Sequence, residues 1–203
     1  MRVHGGSAQG TPRAAVLLLH GGRADALTPP PFPNLPALRM VPFATAIGRA
    51  TRGDGVVVGT VRYRHRGWNG SRDDAARDAE RALVELARTA GPVPVVLVGH
   101  SMGARAALRV AGHPRVRGVV ALAPWCPPGE PVAHLSGKRL YLLHDEADRI
   151  TDARATWAFA DRATAAGAEA RRIVMPRGGH GMLRGARLWH RTVTDLAAGL
   201  LER

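Results

Sequence analysis

A serine stands between two glycines in Gly99-His100-Ser101-Met102-Gly103, directly after an apolar run and directly before a helical pattern. A serine hydroxyl attacks a carbonyl carbon only when a neighbouring base takes its proton. In a sharp strand-to-helix turn the G-x-S-x-G pattern lifts Oγ clear of the sheet, because the glycines let backbones pass closely. The helix that follows offers N-terminal N–H groups to developing negative charge. The spacing therefore points to acyl transfer through Ser101, against the plainer reading of a helix N-cap serine beside packing glycines. A base is offered by His180 in Arg177-Gly178-Gly179-His180-Gly181-Met182, where flanking glycines let the imidazole loop fold over a sheet edge. An acid is offered by the turn His144-Asp145-Glu146-Ala147-Asp148, in which Asp145, Glu146 and Asp148 all compete. Asp152 reads more simply as a first-turn helix acid.

These groups need a scaffold that carries them to one edge. Apolar runs of strand length occur at 14–19, 93–98, 116–122 and 139–143, with weaker ones at 56–63 and 170–175. Near-continuous apolar strands are buried on both faces, as in parallel sheets. Helical patterns alternate with them at 71–88, 102–111, 151–166 and 182–201, Ser71 being the expected N-cap of the first. A further helix at 35–50 is interrupted by Pro42. The alternation predicts an α/β fold with a mostly parallel central sheet, helices on both faces and one domain over 1–203. The proline-rich stretch 28–36 reads as a stiff surface loop.

On these motifs the chain resembles the α/β-hydrolase superfamily over nearly its whole length. That resemblance implies the order nucleophile, acid, histidine. It places Asp148 in the acid position of a strand-H-G-x-x-D turn, with Asp145 where glycine is usual. Aspartate tolerates left-handed backbone better than most residues, so the turn survives the change. His180 would then be the general base and acid, oriented by Asp148. The resemblance also implies an oxyanion hole, with one donor from the backbone N–H of Met102. The second donor comes from the loop Leu19-His20-Gly21-Gly22-Arg23, through either Gly22 or Arg23. Only residues 123–137 stand where many members carry a lid, too few for a helical cap. Trp68 and Trp125 follow strands whose ends face the expected site and are candidates for the substrate pocket. The nearest likeness is to small lidless members of the dienelactone-hydrolase type, although those proper use a cysteine where this chain has Ser101. An acyltransferase or peptidase would share the same three residues, and a non-catalytic binding protein would share the fold alone.

Bulk composition narrows the alternatives. The formal charge is +13, yet Lys138 is the only lysine among 29 basic residues, and the arginines are spread along the chain. Scattered arginine gives no specific nucleic-acid footprint. No apolar run reaches the length of a membrane span, and residues 1–10 lack the apolar segment of a signal peptide. A cytoplasmic protein acting on a small-molecule ester is the expectation, without cofactor or membrane and with the oligomeric state left open. Cys126 is the single cysteine and sits in no nucleophile motif. No H-x-x-x-H spacing with a third ligand appears, so no metal is expected.

Overall fold

The computed structural model describes residues 2–3 and 11–202; residues 1, 4–10 and 203, and with them most of the segment read for a signal peptide, lie outside. The strands are β1 (Arg2–Val3), β2 (Ala14–Leu19), β3 (Val56–Thr60), β4 (Val95–His100), β5 (Val116–Leu122), β6 (Arg139–His144) and β7 (Glu169–Val174). They form one sheet in the order β1-β3-β2-β4-β5-β6-β7. Every pairing is parallel except that of β1 with β3, which is antiparallel. The helices are α1 (Leu35–Ala50), α2 (Asp74–Ala90), α3 (Met102–Arg109), α4 (Ala153–Ala165) and α5 (Ala186–Leu201). α2, α3 and α4 cover one face of the sheet, over Leu17, Leu97 and Val119. α1 and α5 cover the other, over Val16, Val98 and Val120. Because successive strand residues point to opposite faces, β2 throughout and β4 from Val95 to Val98 are apolar at successive positions and feed both cores at once.

The strands sit close to where the apolar runs place them, with shifts that have local causes. β4 begins at Val95, where the backbone first pairs with Arg115, and runs on through Gly99 and His100. α2 begins at Asp74 rather than at Ser71. Residues Gly70–Arg72 form a single 3-10 turn between two left-handed residues, Asn69 (φ 64°) and Asp73 (φ 49°). The Asn69 side chain holds that turn, accepting from Ala26 N at 2.8 Å and donating to Asp74 Oδ2 at 2.7 Å. α5 begins at Ala186, not at 182, because Met182 (φ 57°) and Gly185 (φ 73°) leave the helical path. α1 runs through Pro42 without a break, the proline removing one helical N–H at an exposed position.

Residues 123–137 carry no α-helix, only a 3-10 turn at Ala133–Leu135. They are held down by a charged cluster. Glu130 is buried, and its carboxylate accepts from Arg105 Nε at 2.6 Å and from the Arg109 guanidinium. Arg162 Nη1 donates to the Glu130 carbonyl at 2.8 Å. The segment is thus fastened to α3 and α4 beside the sheet instead of rising over its edge. No described helix is long and apolar enough to cross a membrane.

Candidate active site

The turn from β4 into α3 puts Ser101 at φ 54° and ψ −118°, a strained conformation for a residue with a side chain. Two close approaches hold it there. A Cβ at Gly99 would lie 2.5 Å from Gly103 O, and one at Gly103 would lie 2.5 Å from His20 O and nearer still to Leu19 O. Both flanking glycines are therefore required by contact with backbone that cannot move aside. The turn leaves Ser101 8% exposed at the carboxyl edge of the sheet. Its Oγ makes no hydrogen bond among the described residues.

His180 and Asp148, from loops after β7 and β6, meet directly: His180 Nδ1 donates to Asp148 Oδ2 at 2.9 Å. The other competitors face elsewhere. Asp145 accepts from backbone N–H groups, and it is Asp148, not Glu146, that bonds His180. Asp148 sits under a fan of donors. Oδ1 accepts from Ile150 N at 2.8 Å and Thr151 N at 3.3 Å, and Oδ2 accepts from Thr151 Oγ1 at 2.9 Å. Burial opposes ionisation of this carboxyl, but these hydrogen bonds and the His180 ring outweigh it and hold its pKa below the usual carboxylate value.

Sequence reasoning missed the role of His144, whose only signal was its i, i+4 spacing to Asp148. It is fully buried, and its Nε2 lies 3.3 Å from Asp148 Oδ2 while Nδ1 lies 2.8 Å from Thr156 Oγ1. Burial lowers its pKa, so the ring is neutral. A neutral ring fits both contacts when Nε2–H donates to Asp148 and Nδ1 accepts from the Thr156 hydroxyl.

The loop after β2 lies against the serine turn. A Cβ at Gly21 would be 3.4 Å from Ser101 Cβ, and one at Gly22 would collide with the Met102 side chain. The geometry separates the two candidate oxyanion donors. Arg23 N–H is committed to Arg66 O at 3.1 Å, whereas Gly22 N–H and Met102 N–H make no backbone hydrogen bond among the described residues. His20 explains how Gly22 is aimed. Its pKa is lowered by burial, so it is neutral, and its Nδ1–H donates to Gly21 O at 2.7 Å. In a planar trans peptide the C=O and N–H point oppositely, so fixing Gly21 O fixes Gly22 N–H on the other side. Asn34, the N-cap of α1, completes the arrangement, with Nδ2 donating to His20 Nε2 at 3.3 Å and Oδ1 accepting from Ala37 N.

The two tryptophans are placed differently from each other. Trp68 is 1% exposed and belongs to the core, with the Arg105 guanidinium 3.8 Å from its ring centre, so it offers no open wall to a ligand. Trp125 is partly exposed and packs edge to face against Trp68, with the same guanidinium 4.5 Å from its ring centre. Cys126 is buried, which pushes its thiol pKa far up and keeps it un-ionised. The proline-rich stretch is more than a connector. With His20, Tyr63 and the exposed side of α1 it walls a half-open groove of about 830 Å³, which borders the Gly21–Gly22 loop but is not lined by Ser101 or His180.

Three buried neutral histidines give this site a pH dependence. Burial, then the neighbouring His180, depresses His100 to about 3, and burial lowers His20 and His144 as well. In the unfolded chain each binds a proton below roughly pH 6.5, while the folded protein refuses it. For His100 stability is therefore lost as pH falls from about 6.5 toward about 3, by up to about 1.4 kcal/mol per pH unit, and His20 and His144 add losses in the same direction. Asp148 adds to the same direction at lower pH, since its depressed folded pKa favours the folded state only while it stays ionised. Thermal melts from pH 7.5 to 4.5 should show Tm level above about pH 6.5 and falling below it, with a shallower fall for His100→Gln. A flat Tm across that range would refute the assignment of neutral rings.

The sequence matches the profile described as the alpha/beta hydrolase family over residues 16–198. No curated protein matches it significantly. Among solved structures, an alpha/beta serine hydrolase without lid from Xanthomonas campestris is 20% identical, with a TM-score of 0.60 over 95% of this chain and 81% of that one. Est1E from Butyrivibrio proteoclasticus, solved with ferulic acid bound, is 11% identical with a TM-score of 0.69, covering 99% and 94% of the two chains. An alpha-beta serine hydrolase homologue from Coxiella burnetii is 14% identical, with a TM-score of 0.66 over 92% and 86%. At these identities the likeness is one of fold.

Proposed function

Because this chain belongs to the alpha/beta hydrolase family, we propose that it is a serine hydrolase cleaving a small carboxylic ester or thioester through an acyl-enzyme on Ser101. The observation that carries the reading is the 2.9 Å bond between His180 Nδ1 and Asp148 Oδ2, reached behind a serine held at φ 54°. With Nδ1–H engaged, the His180 ring keeps its Nε2 lone pair free to accept a proton. His180 takes the Ser101 proton as Oγ attacks the carbonyl carbon. The tetrahedral oxyanion accepts hydrogen bonds from Met102 N–H and Gly22 N–H. His180 then returns the proton to the leaving alcohol or thiol, and a water repeats the sequence to release the acid. Asp148 holds the tautomer and balances the imidazolium. The Ser101–His180 contact closes when substrate is present, as such bonds commonly tighten in the productive complex.

With residues 123–137 pinned beside the sheet, long acyl chains meet little enclosed apolar wall. We expect acetyl and butyryl esters to be hydrolysed faster than long-chain ones. The test joins covalent labelling with a fluorophosphonate, mapped to its peptide, to kcat/KM across an acyl-length series of monomeric esters. Label on Ser101 with a short-chain optimum supports the whole reading. A long-chain optimum would place the acyl group in the groove beside the proline-rich loop, and absence of label on Ser101 would overturn the hydrolase reading.

A further inference from the structure

Asp145 occupies a position where the resemblance leads one to expect glycine, and the structure shows both of its carboxylate oxygens in use. Oδ1 accepts from Ala147 N at 2.9 Å, closing the acidic turn on itself. Oδ2 accepts from Gly179 N at 2.7 Å, a partner 34 residues away and next to His180 in the chain. The side chain is buried with its residue only 7% exposed, so the bond is shielded from competing water. We infer that Asp145 is a positioning residue that latches the histidine loop to the acid turn and so sets the His180–Asp148 geometry; this rests on the reading of His180 as the base.

The loop needs such a hold. Gly178 (φ 149°) and Gly179 (φ 52°) give it backbone freedom that few other residues would. Its other fastenings are Trp189 Nε1 donating to Arg177 O at 2.6 Å, upstream, Met182 N donating to Gly179 O at 3.3 Å, and His100 Nε2 donating to His180 O at 2.8 Å, at the residue itself. None of them holds the Gly178–Gly179 peptide, the last but one before His180. The Gly179 N–H lies on that approach, and a carboxylate accepts it more strongly than a neutral oxygen would. Asp145 and Asp148 also belong to one turn, in which Asp148 N donates to Asp145 O at 2.9 Å. The latch therefore ties the loop of the base to the very turn that carries its acid. Without it, His180 samples orientations in which Nδ1–H misses Asp148 Oδ2.

The test compares Asp145→Gly, which restores the residue the resemblance predicts, with Asp145→Asn, whose single carbonyl oxygen can serve only one of the two N–H groups. Three readouts are taken on the folded protein: kcat and KM for a short ester, hydrogen exchange of the Gly179 amide, and the low-field ring N–H resonance of His180. Asp145→Gly should lower kcat roughly tenfold or more with KM changed less than about twofold, expose the Gly179 amide to exchange, and broaden the His180 resonance. Asp145→Asn should fall between it and the wild type, and it carries the test if the glycine variant does not fold. An unchanged kcat, or a lowered kcat with the Gly179 amide still protected, overturns the latch. Should the wild type show no esterase activity and no phosphonate label, it is the Ser101 reading that fails. The exchange and resonance measurements then decide the latch by themselves, their persistence in the variants overturning it.

Discussion

Ser101→Ala should abolish phosphonate labelling and cut ester turnover by roughly 10⁶-fold. An alanine cannot form an acyl-enzyme, and the Met102 and Gly22 N–H groups can then assist only a direct attack by water. The change removes one oxygen that makes no hydrogen bond among the described residues and leaves the backbone bonds of Ser101 in place, so the fold should lose almost nothing. Circular dichroism and Tm should match the wild type within a few degrees. His180→Ala should be nearly as severe, and the double variant hardly worse than either, since the residues act as one unit. A folded Ser101→Ala that retains most of the esterase rate, with contaminating hydrolases excluded, would remove the nucleophile and favour a binding protein on this fold.

Asp148→Asn should cost on the order of 10⁴-fold in kcat, and the structure gives a specific reason. The amide must place its oxygen on one side and its NH2 on the other. Ile150 N and Thr151 N both donate to the Oδ1 position, so the oxygen goes there. The NH2 then faces His180 Nδ1, forcing that nitrogen to accept and putting the ring proton on Nε2. A ring with Nε2–H cannot take the Ser101 proton. His144 adapts at small cost by moving its own proton to Nδ1, where the Thr156 hydroxyl oxygen accepts it. The loss should therefore appear in kcat with Tm only slightly lowered. A near-wild-type kcat in the folded variant would assign the orienting role to another group.

The parts of this site that were legible from the sequence share one property: their signal is local. A buried run followed at once by G-x-S-x-G announces both the strand and the turn, because Gly99 must clear the backbone of Gly103 and Ala104 only a few residues on. The apolar runs in β2, β4 and β5 are readable because a strand buried on both faces has no polar alternation to confuse it. What stayed hidden depends on contacts far along the chain. The carboxylate of Asp145 meets an N–H 34 residues on, and no periodicity announces that. The choice between Gly22 and Arg23 turns on Arg66 O, which lies in another loop. Trp68 looked like a pocket wall because it follows a strand, but the Arg105 guanidinium and the α2 face enclose it. The start of α5 was misplaced because Met182 adopts φ 57°, a conformation methionine gives no reason to expect.

The anchoring of residues 123–137 also says where this architecture can grow. Glu130 is fastened to Arg105 and Arg109, while just before it Pro128 and Gly129 are exposed, and a Cβ at Gly129 would meet nothing within 4 Å. Chain inserted between those two residues would emerge into solvent, leaving the sheet, the serine turn and the histidine loop untouched. Lengthening a surface loop is cheap, about 0.6 kcal/mol for each doubling. A helical flap grafted there would thus add an enclosing wall over an otherwise open scaffold, turning substrate breadth into something adjustable independently of the reacting groups.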